Sequence, residues 1–202
     1  VTVTGGMYWD FLRLFFEIKQ GILKCVNGGH ADIQAIGIDT WGVDFALIDN
    51  SNFTKCIVYQ YDGGAIYAEG LNATILNSYF GENRVIGNKA RGGSMFIQGD
   101  YLSLEGCTFN RCTSYEGGVI YINGSNARIE DSSNTFSLAQ SGSAIYVAGN
   151  NVTICHFNSS YANSTLKGGS IYIEGNDSNI FNSNFLRVYS LLGGAIYISG
   201  DN

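Results

Sequence analysis

The chain has 202 residues, with 17 acidic and 11 basic side chains and a net charge of −6. The bases are scattered rather than striped, which excludes the electrostatic footprint of a nucleic-acid binder and a polybasic membrane anchor. Apolar residues make up 45% of the chain, Gly is 27 of 202 and Pro is absent, where about ten Pro are usual. That balance excludes wholesale disorder, collagen and polyproline, and favours long uninterrupted β ladders.

Length alone suggests one or two domains. Residues 9–26 are expected to form an amphipathic helix, because Phe11, Phe15, Ile18 and Ile22 share one face, widened by Leu12, Leu14 and Leu23. Asp10 suits its start and Gly28-Gly29 its end. Arg13, Glu17 and Lys19 interrupt the apolar run, so no membrane-spanning helix is encoded there. Residues 33–38 and 43–48 read as strands separated by Thr40-Trp41-Gly42.

The stretch 37–49, GIDTWGVDFALID, with Tyr8-Trp9-Asp10 before it, resembles the rhamnulokinase branch of the FGGY sugar kinases. The resemblance implies part of an N-terminal actin-like domain bordering a ketose pocket, with Trp41, Gly42 and Asp44 as the sugar-proximal residues. The family's phosphate hairpin, catalytic Asp and second actin-like domain are not in this sequence. Phosphoryl transfer needs positioned phosphates, Mg²⁺ and a base, so this chain is expected not to act as a kinase and to need no cofactor.

From residue 50 onward the sequence repeats. The pattern G-[GS]-x-[IM]-[YF]-x-x-G begins at Gly63, Gly92, Gly117, Gly142, Gly168 and Gly193, at spacings of 29, 25, 25, 26 and 25. Within it, Ile66, Met95, Ile120, Ile145, Ile171 and Ile196 alternate with Tyr67, Phe96, Tyr121, Tyr146, Tyr172 and Tyr197. Period two means a strand, with the aliphatic column inward and the aromatic column outward. A second strand carries Ile75, Leu104, Ile129, Ile154 and Ile180, usually followed by a Phe: Phe80, Phe109, Phe136, Phe157 and Phe185. A period near 25 with two or three short strands and Gly/Asn turns describes one coil of a parallel β-helix. The paired glycines are expected at a sharp corner that excludes a Cβ.

The repeats GGAIY at Gly63 and Gly193, with Asn182-Ser183-Asn184-Phe185, resemble adhesin-like parallel β-helix proteins of prokaryotic surfaces, and the polymorphic outer-membrane proteins with their GGAI and FxxN motifs. Only Phe80-Gly81-Glu82-Asn83 keeps the full FxxN. The fold expected is therefore mainly β: a right-handed, single-stranded parallel β-helix of about six coils over 50–202, behind an α/β piece at 1–49 that caps the open solenoid end. The two likenesses point to different compartments, the cell surface for the β-helix and the cytoplasm for the kinase-like piece. The chain thus reads as a composite joined between Leu47 and Phe53, and its ends, Val1 and a repeat interrupted at Asn202, as the cut ends of something longer.

The best acidic cluster is Glu105 and Glu130, in adjacent outward positions with Arg128 on the same face. These are the residues a β-helix polysaccharide-active enzyme would need; a surface ion pair is the plainer reading. His156 follows Cys155, but neighbouring strand residues point to opposite faces, so no dyad is expected, and no metal-ligand spacing occurs. The five Cys read as free apolar residues, with room for one bridge. The aromatic column Tyr67, Phe96, Tyr121, Tyr146, Tyr172 and Tyr197 is the candidate ligand-binding face, either stacking on sugar rings or stabilising the sheet. Seven N-x-[ST] sequons follow from composition, and their Asn residues suit turns. The function expected is non-enzymatic: the stalk or binding face of an adhesin-like surface protein, with glycans or host-surface molecules as partners. The alternative is a carbohydrate-related enzyme, either β-helical or a truncated rhamnulokinase.

Overall fold

The structure is a computed structural model describing residues 46–201. The predicted helix at 9–26, the strand at 33–38, and Cys25, His30, Trp41, Gly42 and Asp44 lie outside the described residues. Among the described residues every regular element is a strand, and the strands pair in parallel.

Three six-stranded sheets run along the stack. The first contains Ala46–Asp49, Ala73–Leu76, Ser103–Glu105, Arg128–Glu130, Thr153–Cys155 and Asn179–Phe181. The second contains Asn52–Thr54, Tyr79–Gly81, Thr108–Asn110, Ser133–Thr135, Asn158–Ser160 and Asn184–Leu186. The third contains Ile66–Ala68, Met95–Ile97, Ile120–Ile122, Ile145–Val147, Ile171–Ile173 and Ile196–Ile198. A partial fourth side pairs Ile57–Tyr59 with Arg84–Ile86 and Leu138–Ser141 with Asn163–Lys167. The solenoid thus takes in Ala46–Asp49, which pairs residue for residue with Ala73–Leu76.

The coil closes because its corners are left-handed, and these fall in columns. Asn50, Asn77, Gly106, Asp131, His156 and Asn182 follow the first-sheet strands. Lys55, Glu82, Arg111, Phe136, Tyr161 and Arg187 follow the second. Asn72, Tyr101, Asn126, Asn151 and Asp177 lead into the first, and all but Tyr101 are Asn or Asp, which adopt this conformation at less cost than other side-chain-bearing residues. Of the seven sequon Asn residues, Asn72 and Asn151 take positive φ. The third sheet is entered through glycine for a steric reason: a Cβ on Gly117, at φ 58, would lie 2.3 Å from the Ile120 carbonyl oxygen. A Cβ on Gly118 would lie 2.2 Å from the Ser143 oxygen of the next coil.

The interior is built from stacked columns. Ile75, Leu104, Ile129 and Ile154 line the first sheet, and Met95, Ile120, Ile145 and Ile171 the third, all buried. Phe53, Phe80 and Phe109 stack face to face in the second, with centroids 4.9 and 5.1 Å apart. The Phe series then departs from expectation, because Asn134 and Ser159 hold that column. Phe136 falls instead on a left-handed corner, exposed and stacked on Tyr161 at 4.8 Å. Phe157 stands two residues before Ser159, fully buried, in the turn position that Ser78, Cys107 and Ser132 hold elsewhere. The Asn83 of FxxN is also buried: its Oδ1 accepts from the Cys56 amide at 2.9 Å, and its Nδ2 donates to the Phe53 oxygen at 3.0 Å. It ties one coil to the one before. Cys56, Cys107, Cys112 and Cys155 are free.

Two substitutions test this frame by urea denaturation. Ile129→Ala is expected to cost about 2–5 kcal/mol, as for a fully packed aliphatic. Gly117→Ala is expected to cost at least the ~1–2 kcal/mol of a left-handed L-residue, since its methyl also meets the Ile120 carbonyl.

Candidate functional site

The aromatic column leaves the third sheet on the side opposite the aliphatic core, as alternation requires. Tyr67 is half exposed, but Phe96, Tyr121, Tyr146 and Tyr172 are buried. The rings use their faces on one another: Tyr67–Phe96, Phe96–Tyr121 and Tyr121–Tyr146 stack at 5.0, 5.5 and 4.7 Å. Tyr146 meets Tyr172 edge-on at 4.6 Å, and Tyr172 tilts on the half-buried Tyr197 at 5.4 Å. This differs from an open outward platform: stacked ring centroids 4.7 to 5.5 Å apart leave no gap for a sugar ring between them.

The polar ends of the rings are tied down. Tyr67 donates to Glu69 at 2.7 Å, and Tyr146 to Glu174 at 2.8 Å. Burial, then the Glu174 bond, pushes the Tyr146 phenol far up, so it stays a donor. Lys167 lies over Tyr172 and Tyr197, and Arg91 lies over Phe96 and Tyr121 at 4.5 and 5.1 Å. Arg91 is fixed by Asp62, with Nη2 to Oδ2 at 2.6 Å and its amide to Oδ1 at 2.8 Å; that bond raises its pKa against the effect of burial.

Beside this edge runs a cleft of about 520 Å³ lined by Gln60, Tyr61, Asp62, Lys89, Arg91, Tyr115, Glu116 and Tyr121. Through Gln60 it adjoins a second, of about 580 Å³, lined also by Tyr59 and Ile86. Tyr59 and Tyr61 are 66% and 77% exposed, so their faces are free. Burial raises the Glu116 carboxyl, and the Arg91 charge only partly offsets it. Sequence reasoning missed this cleft. The signal was the residue before each glycine pair: Asp62, Arg91, Glu116, Ser141, Lys167 and Leu192 form one column, with alternating charge at its start.

The carboxylate cluster lies at the first sheet. Glu130 is the register partner of Glu105, and Arg128 donates from Nε to Glu130 Oε2 at 2.8 Å with Nη2 at 2.6 Å. That bond holds the Glu130 carboxyl below its ordinary value, which suits a charge partner better than a proton donor. Glu105 is exposed beside it. The same corner brings in Cys155, the next register partner of Glu130, and His156. Here the opposite-face argument fails: the strand ends at Cys155, and His156 takes φ 51, turning its ring to the Glu130 side.

A family model described as a right handed beta helix region matches residues 21–199. The rhamnulokinase of Halalkalibacterium halodurans is 49% identical over 58 residues, 28% of this chain and 12% of that protein. Those of Mannheimia succiniciproducens and Bacteroides thetaiotaomicron are 39% identical over 61 residues and 44% over 48. They cover 30% and 24% of this chain, but 12% and 10% of their own lengths. The chain therefore spans about an eighth or less of the curated relatives it matches. No solved structure matches.

The raised Glu116 carboxyl gives a pH test. Its native pKa lies above the ordinary 4.5, so its contribution to stability is full below the unfolded value and lost as pH rises through the folded one. Glu116→Gln is therefore expected to melt higher than wild type near pH 7, with the advantage vanishing toward about pH 4. A variant that melts lower than wild type at neutral pH contradicts this.

Proposed function

The chain belongs to the right-handed β-helix family, and we propose that it is a non-enzymatic, adhesin-like segment of a cell-surface protein that presents a glycan-binding groove on a rigid rod. The observation that carries this reading is the cleft beside the aromatic edge. Tyr61 and Tyr59 offer free ring faces, while Gln60, Asp62, Arg91 and Glu116 offer hydrogen-bonding groups within the same groove. Sugars are bound by that pairing of flat apolar faces with planar polar groups. The stacked column serves this reading as a floor: the Arg91 guanidinium, held between Asp62 and the rings, is fixed before any ligand arrives.

A structural role is supported independently, because continuous parallel ladders through six coils make a stiff element whichever ligand it carries. The polysaccharide-cleaving alternative gains little from Glu105 and Glu130, since Arg128 neutralises the second and holds it ionised. The kinase alternative rests on a match to a small fraction of the relatives' length.

The test is a glycan array followed by titration of any hit. Tyr61→Ala, at an exposed position, is expected to weaken binding by about tenfold, or about 1.4 kcal/mol, with an unchanged melt. Tyr146→Ala, buried and outside the groove, is expected to lower the melt and leave the affinity of the folded fraction unchanged. The proposal fails if no glycan binds, or if binding survives both Tyr61→Ala and Asp62→Ala at full strength.

A further inference from the structure

The first corner of the solenoid places two residues from each of two adjacent coils around one point. Glu130 and Cys155 are register partners at their strand ends, and Asp131 and His156 follow them at equivalent left-handed corners, φ 47 and 51. Ligand atoms of Glu130, Cys155 and His156 all lie within 4.8 Å of one another. His156 Nδ1 is 3.3 Å from Asp131 Oδ1 and 3.8 Å from Glu130 Oε1. We propose that Glu130, Cys155 and His156 bind a divalent transition metal of the zinc class, with the fourth position left to solvent beside Asp131.

The donor set argues for that class. A thiolate, an imidazole and carboxylates suit Zn²⁺ or Co²⁺, whereas Ca²⁺ and Mg²⁺ take all-oxygen shells. Bond lengths of about 2.0–2.3 Å put two ligands of a tetrahedral ion roughly 3.5 Å apart, so the three ligand atoms, now within 4.8 Å of one another, close by about 1.3 Å or less on binding. The surroundings are arranged as a metal site needs. Arg128 holds Glu130 Oε2 and leaves Oε1 turned toward His156. His156 Nε2 lies 3.4 Å from the Asn182 amide nitrogen, and a half-turn of that amide presents its oxygen to Nε2–H. Nδ1 is then the free nitrogen that faces the other ligands. Cys155 is a buried thiol beneath the same groups. On binding, the metal–sulfur bond forms as the thiol proton leaves to solvent, with no change in redox state.

The corner also shows why only this pair of coils qualifies among the described residues. The equivalent strand-end positions are Asp49, Leu76, Glu105, Glu130, Cys155 and Phe181, and the corners Asn50, Asn77, Gly106, Asp131, His156 and Asn182. Only at Glu130-Asp131 over Cys155-His156 do the three ligands and a further carboxylate stack.

The experiment uses the full chain, reduced and stripped with a chelator, titrated with Co²⁺ and then Zn²⁺. We expect a thiolate-to-cobalt charge-transfer band and tetrahedral ligand-field bands that saturate at one equivalent and bleach when Zn²⁺ displaces the cobalt. Cys155→Ser should abolish the charge-transfer band, and Cys107→Ser should leave it. His156→Gln and Glu130→Gln should each weaken Co²⁺ binding beyond the about 10–100-fold typical of losing an outer-shell partner. His156 is largely exposed, so its variant keeps the test valid if Cys155→Ser unfolds, which circular dichroism reports. The proposal is overturned if no thiolate band forms, if the band survives Cys155→Ser, or if His156→Gln leaves the affinity unchanged.

Discussion

Everything in this molecule depends on the backbone hydrogen bonding of each coil to the next with equivalent positions in register. Ser94 donates to Val119, Val119 to Ala144 and Ala144 to Ser170, at 2.8, 3.1 and 2.9 Å, and the same relay runs along every side. Because the strands keep their register while the turns take up differences in coil length, each strand side chain finds its own equivalent about 4.8 Å above and below it. The constraint acts on the sequence in two ways. Inward positions of the first and third sheets stay apolar, while Asn134 and Ser159 enter the inward column of the second; a coil buries its core only through neighbours on both sides, so Ile129 and Ile154 are buried where Ile180 is only partly so. Outward like charges in register cost stability: the Asp62, Arg91, Glu116 column alternates in sign, and where Glu105 and Glu130 do stack, Arg128 pairs with Glu130.

Which parts were legible in the sequence follows from the same constraint. The third sheet could be read in full because its positions are the most restricted: a left-handed glycine with no room for a Cβ, a second glycine replaced only by Ser143, a buried aliphatic, a stacking aromatic and a closing glycine. The second sheet could not. Its inward column changes from Phe109 to Asn134 and Ser159, with Phe157 filling the core from an adjacent position, so counting aromatics gave the wrong register. In the coil of Ser159, Phe157 fills space that Phe109 fills from the strand itself in its own coil, and a single-column reading cannot see such a shift.

The sites follow a different logic. Alternation correctly put the aromatics on the outer side, but it carries no information about what covers them, and stacking with Arg91 and Lys167 leaves most of them buried. Free aromatic surface lies one side further round, at Tyr59 and Tyr61, where the fourth side is short and the coil opens into a cleft. The His156 corner was hidden for a related reason. Period-two reasoning ends where the strand ends, and a left-handed residue just beyond it can rejoin the face that its neighbour occupies. At this corner the backbone changes direction and two adjacent coils bring Glu130, Cys155 and His156 together.

The segment Ala46–Asp49 carries this argument to the junction of the two likenesses. It belongs to the stretch that resembles rhamnulokinases, yet it pairs in register with Ala73–Leu76, and Ile48 packs against the solenoid core. The two facts are compatible because a short alternating strand specifies a pleated edge with one apolar face and nothing about the sheet that receives it. What commits Ala46–Asp49 to the solenoid is the corner after it. Asn50 takes φ 48, its amide bonds to the Leu76 oxygen at 3.3 Å, and Phe53 arrives over Phe80. The junction needs no linker, since the backbone that ends one likeness already supplies the ladder on which the other is built.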